Sequence, residues 1–146
     1  MSRILVIDDQ PHVRATVLVT LRANGFEAAG FADGAAGLRA FEASRYDAAI
    51  VDIYMPGLDG IKLMRALRAL SPDLPIVAMS GVLLGISENT ALDFLSRTPD
   101  LSGIVCLKKP FRSSGLMAAM RKAMAATAQA GPGRDIAVGD AQCQSS

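Results

Sequence analysis

Short apolar runs alternate along the chain with longer stretches in which apolar positions recur every three or four residues. Ile4-Leu5-Val6-Ile7 is a β-rich run, and Val13, Val17, Leu18 and Leu21 follow it at helical spacing. Pro11 suits the first turn of that helix and Asn24-Gly25 its end. A weaker strand is predicted over Phe26 to Phe31, and a short helix carrying Leu38 and Phe41 over Ala35 to Ser44. Ala48 to Val51 reads as the third strand. The turn Pro56-Gly57-Leu58-Asp59-Gly60 then leads to a helix with Leu63, Ala66, Leu67 and Leu70 on one face and Asp59 as candidate N-cap. Leu74 to Met79 and Gly103 to Leu107 are the last two strands, separated by a helix over Ser87 to Arg97 that stops near Pro99. The final helix spans Ser113 to Ala128, with Leu116, Ala119, Met120 and Ala123 facing inward.

Five strands alternating with five helices predict an α/β fold, a doubly wound and mostly parallel sheet. The strands are nearly continuous apolar runs, as expected where helices cover both faces. In such sheets chemistry gathers at the carboxyl ends of the strands, so the polar residues closing each strand matter most. Asp8-Asp9 closes the first strand, Asp52 the third and Ser80 the fourth, while Lys109, just before Pro110, closes the fifth.

Composition narrows the picture. With 146 residues, the chain has the size of one domain with a real core. Lys+Arg 15 against Asp+Glu 14, with no long basic run, lacks the electrostatic footprint of a free-standing nucleic-acid binder. No apolar run approaches the roughly 20 residues needed to cross a bilayer, and Arg3, Asp8 and Asp9 interrupt the place of a signal peptide. A cytoplasmic protein without membrane contact is expected. Cys106 and Cys143 have neither metal-ligand spacing nor the pattern of a disulfide framework.

Three acidic groups at one sheet edge repel each other unless a cation lies among them. Oxygen ligands without His or Cys suit a hard ion, Mg2+ before Zn2+. Lys109 adds a positive charge for an anion and Ser80 a hydroxyl. Together these are the parts needed to transfer a phosphoryl group to a carboxylate. Asp47 and Asp59 read instead as boundary or capping residues, His12 as exposed, and Met55, Met64, Met79 and Met120 as core filling.

Four motifs occur in order: Ile4-Leu5-Val6-Ile7-Asp8-Asp9, Asp52-Ile53-Tyr54-Met55-Pro56-Gly57-Leu58-Asp59-Gly60, Met79-Ser80-Gly81 and Lys108-Lys109-Pro110-Phe111. In these the chain resembles the receiver domains of two-component response regulators. The resemblance implies a receiver over residues 1–126 and the flavodoxin-like strand order 2-1-3-4-5, while residues 127–146, rich in Ala, Gly, Ser and Gln and broken by Gly131-Pro132-Gly133, read as a flexible tail. It makes Asp52 the phosphoacceptor, with Asp8, Asp9, Asp52 and the backbone carbonyl of Tyr54 holding Mg2+. Ser80 would bond the attached phosphoryl group and Lys109 would pair with it. Lys109 is preferred to Lys108 because adjacent strand residues point to opposite faces and Lys109 precedes Pro110, in the family usually by a cis bond.

The implied function is that of a stand-alone, chemotaxis-type regulator. It takes a phosphoryl group from a histidine kinase or phosphotransfer protein and signals by phosphorylation-dependent protein contact, without being an enzyme in its own right. Ser80 would then move toward the phosphoryl group and alter the face built from the helix over Ser87 to Arg97, the fifth strand and the last helix. Two features depart from the family pattern. Cys106 occupies the position of the usual aromatic switch residue, which suggests that Leu83, Leu84 or Phe94 moves instead. The segment between Ser80 and Lys109 is longer than usual. Competing readings are a degenerate receiver used as a scaffold, a flavodoxin-like cofactor protein, and an aspartyl-phosphate-forming phosphatase of the haloacid-dehalogenase type. The flavin reading is opposed by the acidic Asp8-Asp9-Gln10, and the phosphatase reading by Tyr54, where a second Asp is needed.

Overall fold

Five apolar runs pair as one parallel sheet in the computed structural model, which describes residues 2–53, 60–80 and 101–129. The strands are β1 (Arg3–Ile7), β2 (Glu27–Phe31), β3 (Ala48–Asp52), β4 (Ile76–Ser80) and β5 (Val105–Lys108), in the order β2-β1-β3-β4-β5. The described helices are α1 (Pro11–Ala23), α2 (Gly34–Ala43), α3 (Gly60–Leu70) and α4 (Ser113–Gln129). The helix expected over Ser87 to Arg97 lies outside the described residues, as do Leu83, Leu84, Phe94, Tyr54, Asp59 and Cys143.

Successive strand residues face opposite ways, so each central strand feeds two cores. Leu5, Ile7, Ala49, Val51, Ile76 and Ala78 join Leu63, Met64 and Leu67 of α3 and the partly buried Leu38 and Phe41 of α2. Ile4, Val6, Ala48, Ile50, Val77 and Met79 join Val17 and Leu21 of α1 and Leu116, Met120 and Ala123 of α4. Burial on both sides explains why β1, β3 and β4 read as unbroken apolar runs, while edge strands β2 and β5 are only partly buried.

Local chemistry sets the element ends. Pro11 opens α1, where no N–H is required, and the Asn24 side chain donates to Thr20 O at its close. Gly25, at φ 90°, makes the left-handed turn that other residues resist. Asp33 caps α2 by accepting from the Ala36 N–H at 2.8 Å. Two strands begin later than their apolar runs suggest. Leu74 donates its N–H to Ser71 O in a turn before β4, and Gly103, at φ 79°, turns the chain before β5.

The buried stripe of α3 differs from the expected one. Leu70, at the end of the helix, is 51% exposed, whereas Met64 and Arg68 are buried. Leu74, carried inward by the following turn, fills the end of that core. Arg68 is held by carbonyls: its Nε donates to Leu74 O at 2.8 Å and its Nη1 to Ser102 O at 2.9 Å. Those bonds satisfy a buried cation and the peptide groups leading into β4 and β5.

Candidate functional site

Parallel pairing places the carboxyl ends of β1, β3, β4 and β5 along one edge. Ile7 is level with Val51, Asp52 with Met79, and Ser80 with Lys108. The polar residues that close these strands are thereby gathered. Asp8 is fully buried, Asp52 is 3% exposed, Ser80 is buried and Asp9 half-buried. One carboxylate oxygen from each of Asp8, Asp9 and Asp52 lies within 4.8 Å of the others.

The backbone around Asp8 is fixed from three directions. Its N–H donates to Phe31 O at 3.1 Å, its carbonyl accepts from Arg14 Nη1 at 2.7 Å, and its Oδ1 accepts from the Gln10 N–H at 2.8 Å. Asp52 ends a buried strand, and Ile53 continues the ladder by donating to Met79 O at 2.9 Å. Lys109 is anchored at its main chain by an N–H bond to Ser80 O at 2.7 Å. Its Nζ lies 2.9 Å from Asp8 Oδ2 and donates to Asp52 Oδ2 at 3.1 Å and to Gln10 Oε1 at 3.0 Å. The Lys109–Pro110 peptide is cis.

Burial alone would lower the Lys109 pKa. The hydrogen bond to Asp8, the charges of Asp52 and Asp8, and the hydrogen bond to Asp52 together outweigh it, so the pKa lies above its ordinary value. The ammonium is therefore a fixed positive charge, opposed by three clustered carboxylates. Asp8 Oδ2 is shielded from solvent, and apart from the Lys109 ammonium 2.9 Å away no group among the described residues bonds it. Three clustered carboxylates against one ammonium, two of them buried, form an all-oxygen donor set that fits a hard divalent cation.

Ser80 closes β4 at this edge. Cys106 is partly buried against the core on the α2 and α3 side of the sheet, and its thiol is not in a disulfide. The structure leaves Lys108 and His12 exposed and puts Asp47 at the opposite edge, where its Oδ2 accepts from the Arg3 N–H at 2.8 Å. Sequence reasoning passed over Gln10 and Arg14. Their signal was position: Gln10 directly follows the acidic pair, and Arg14 lies one helical turn beyond Gln10, whose carbonyl accepts its N–H.

Gly60 has a second role beyond its turn motif. A Cβ there would collide with the carbonyl oxygen of Asp52 and stand 2.5 Å from Ile53 Cα. Both are backbone atoms that cannot rotate away, so α3 packs directly on the chain carrying Asp52. Gly60→Ala is expected to lower stability by about 3 kcal/mol in urea unfolding and to weaken Mg2+ binding in calorimetric titration. Unchanged values for both would show that the close approach is unimportant.

The response regulator receiver domain model matches residues 4–121. The transcriptional regulatory protein PrrA of Mycobacterium tuberculosis is 45% identical over 78 residues, covering 53% of this chain and 34% of PrrA. The DNA-binding response regulator MtrA of Mycolicibacterium smegmatis is 34% identical over 126 residues, covering 82% of this chain and 49% of MtrA. The chain thus spans a third to a half of the length of these curated relatives. Among solved structures, chemotaxis protein CheY4 of Vibrio cholerae superposes with TM-score 0.73 at 26% identity, over 84% of this chain and 98% of CheY4. NtrX of Brucella abortus superposes with TM-score 0.77 at 26% identity, over 96% of this chain and 31% of NtrX. The chain belongs to the response regulator receiver domain family. Such domains are phosphoacceptors that bind Mg2+ at an acidic pocket, and a histidine kinase or other phosphodonor is their partner. Among the described residues no helix is long and apolar enough to cross a membrane.

Proposed function

We propose that Asp52 accepts a phosphoryl group from a histidine kinase or phosphotransfer protein, with Mg2+ held by Asp8, Asp9, Asp52 and the Tyr54 backbone carbonyl. The observation that carries this reading is the meeting of the buried Asp52 and Asp8 carboxylates and the Lys109 ammonium at one sheet edge. When bound, Mg2+ supplies positive charge against the oxygens of the phosphoryl group in transit. A carboxylate oxygen of Asp52 attacks phosphorus as the bond to the donor's imidazole nitrogen breaks, leaving the donor histidine with the electron pair. Lys109, already hydrogen-bonded to that carboxylate, offers an N–H to the charge that develops. The product adds nearly two negative charges beside β4, where the Ser80 hydroxyl donates to a phosphoryl oxygen.

In this reading residues 1–126 form the receiver and 127–146 a tail, and the protein acts in the cytoplasm through phosphorylation-dependent contact with another protein. Cys106 is too small to copy an aromatic residue moving into space left by Ser80, so the output face changes by other side chains. A second reading, a receiver serving a DNA-bound output, is favoured by the likeness to PrrA, a transcriptional regulatory protein, and to MtrA, a DNA-binding response regulator. The net charge of +1 argues against DNA contact by the receiver surface itself.

The test is incubation with acetyl phosphate and Mg2+ followed by intact-mass measurement. One phosphoryl group per chain is expected, and none when EDTA replaces Mg2+. An unmodified protein in Mg2+ would overturn the reading.

A further inference from the structure

We infer that Gln10 is a positioning residue for Lys109, tethering its ammonium at the mouth of the acidic site by a neutral contact that the carboxylates do not supply. The inference rests on the proposed phosphoryl transfer for its consequence, but its geometry stands apart from it. Lys109 Nζ meets three side-chain oxygens among the described residues: Asp8 Oδ2 at 2.9 Å, Asp52 Oδ2 at 3.1 Å and Gln10 Oε1 at 3.0 Å. Two of these belong to the acidic trio suited to a cation, and only the Gln10 carbonyl lies outside it. With a divalent ion among the carboxylates, their oxygens are shared with that ion and the ammonium is repelled by it. The amide contact is spared this competition.

Gln10 is exposed, and a solvated amide on a free loop would be a poor anchor. Here its main chain is pinned. The Gln10 N–H donates to Asp8 Oδ1 at 2.8 Å, its carbonyl accepts from the Arg14 N–H at 3.0 Å, and Pro11 keeps it extended at φ −89° and ψ 112°. Only side-chain rotation remains to be ordered, which limits the entropy cost of the tether. Lys109 is likewise anchored by its N–H bond to Ser80 O, so two fixed backbones hold the pair. A neutral acceptor also holds the ammonium without adding a charge that would draw it away from Asp52. A Glu at this position would form an ion pair instead and compete with Asp52 for the same protons.

The first readout is free of phosphoryl chemistry: the 15N NMR signal of the Lys109 ammonium in protein saturated with Mg2+, where the carboxylates are shared with the ion, assigned with Lys109→Ala. A tethered ammonium exchanges its protons slowly, and Gln10→Ala is expected to speed that exchange about fivefold or broaden the signal away. The second is the initial rate of phosphorylation by acetyl phosphate at saturating Mg2+, which Gln10→Ala should lower by about fivefold while Mg2+ affinity stays within about twofold. In the Lys109→Ala background, Gln10→Ala should have no further effect on that rate. Gln10→Glu should restore slow exchange without restoring the rate. Unchanged ammonium exchange in Gln10→Ala, or an equal rate loss with and without Lys109, would overturn the tether. Slow exchange lost in Gln10→Ala alongside a wild type that takes up no phosphoryl group would uphold the tether and reject the phosphoacceptor reading.

Discussion

Asp52→Asn is expected to take up no phosphoryl group from acetyl phosphate and Mg2+ under conditions that label the wild type, as read by intact mass. Asn is nearly isosteric with Asp and still accepts a hydrogen bond from Lys109, so the packing at the end of β3 is retained. It lacks the anionic oxygen that forms the bond to phosphorus. The substitution also removes one of three clustered carboxylates, two of them buried. Cation-free Asp52→Asn should therefore be as stable as the wild type or more stable by about 1 kcal/mol, since Lys109 can remain paired with Asp8. Loss of the adduct with preserved stability is the signature of a chemical role. An adduct of undiminished yield would move the acceptor to another residue.

Lys109→Ala should combine a kinetic and a thermodynamic loss. It leaves Asp8, which is 0% exposed, facing Asp52 without the ammonium that stands 2.9 Å from Asp8 Oδ2. Removing one partner of a buried pair leaves an uncompensated charge, and the expected loss in EDTA is about 3 kcal/mol by urea unfolding. A cation held by the same carboxylates opposes that repulsion, so added Mg2+ should stabilise Lys109→Ala more than it stabilises the wild type. The phosphorylation rate should fall by about 10² to 10³, the usual scale for losing one preorganised charge beside a developing anion. Equal Mg2+ stabilisation of the two proteins would show that Lys109 does not offset the carboxylates.

The sheet could be read from sequence because strands buried on both faces leave long apolar runs, as Ile4 to Ile7 and Ala48 to Val51 do. The acidic residues were readable because a carboxylate at the end of such a run needs a reason to be there. Arg68 was not, since a buried arginine becomes tolerable only when tertiary structure brings carbonyls such as Leu74 O and Ser102 O to it. Leu70 follows the spacing of the apolar stripe yet ends its helix beyond the core, a boundary that periodicity alone does not carry. Gln10 was missed because its partner is 99 residues away, and nothing local marks an exposed glutamine as a ligand for a lysine. Gly60 was seen as a turn residue, while the backbone it packs against depended on knowing how α3 docks on β3.

Arg68 also bears on how this protein can vary in length. Its guanidinium joins the entrances of β4 and β5, and the Lys109 N–H bond to Ser80 O joins their exits, so the alignment of the two strands is fixed at both ends. The spacing between Ser80 and Lys109 is therefore not delegated to the chain that connects β4 to β5. A change in the number of residues over 81–100 is expected to leave Lys109 aligned with Ser80, because bonds at both ends of the strand pair hold that alignment.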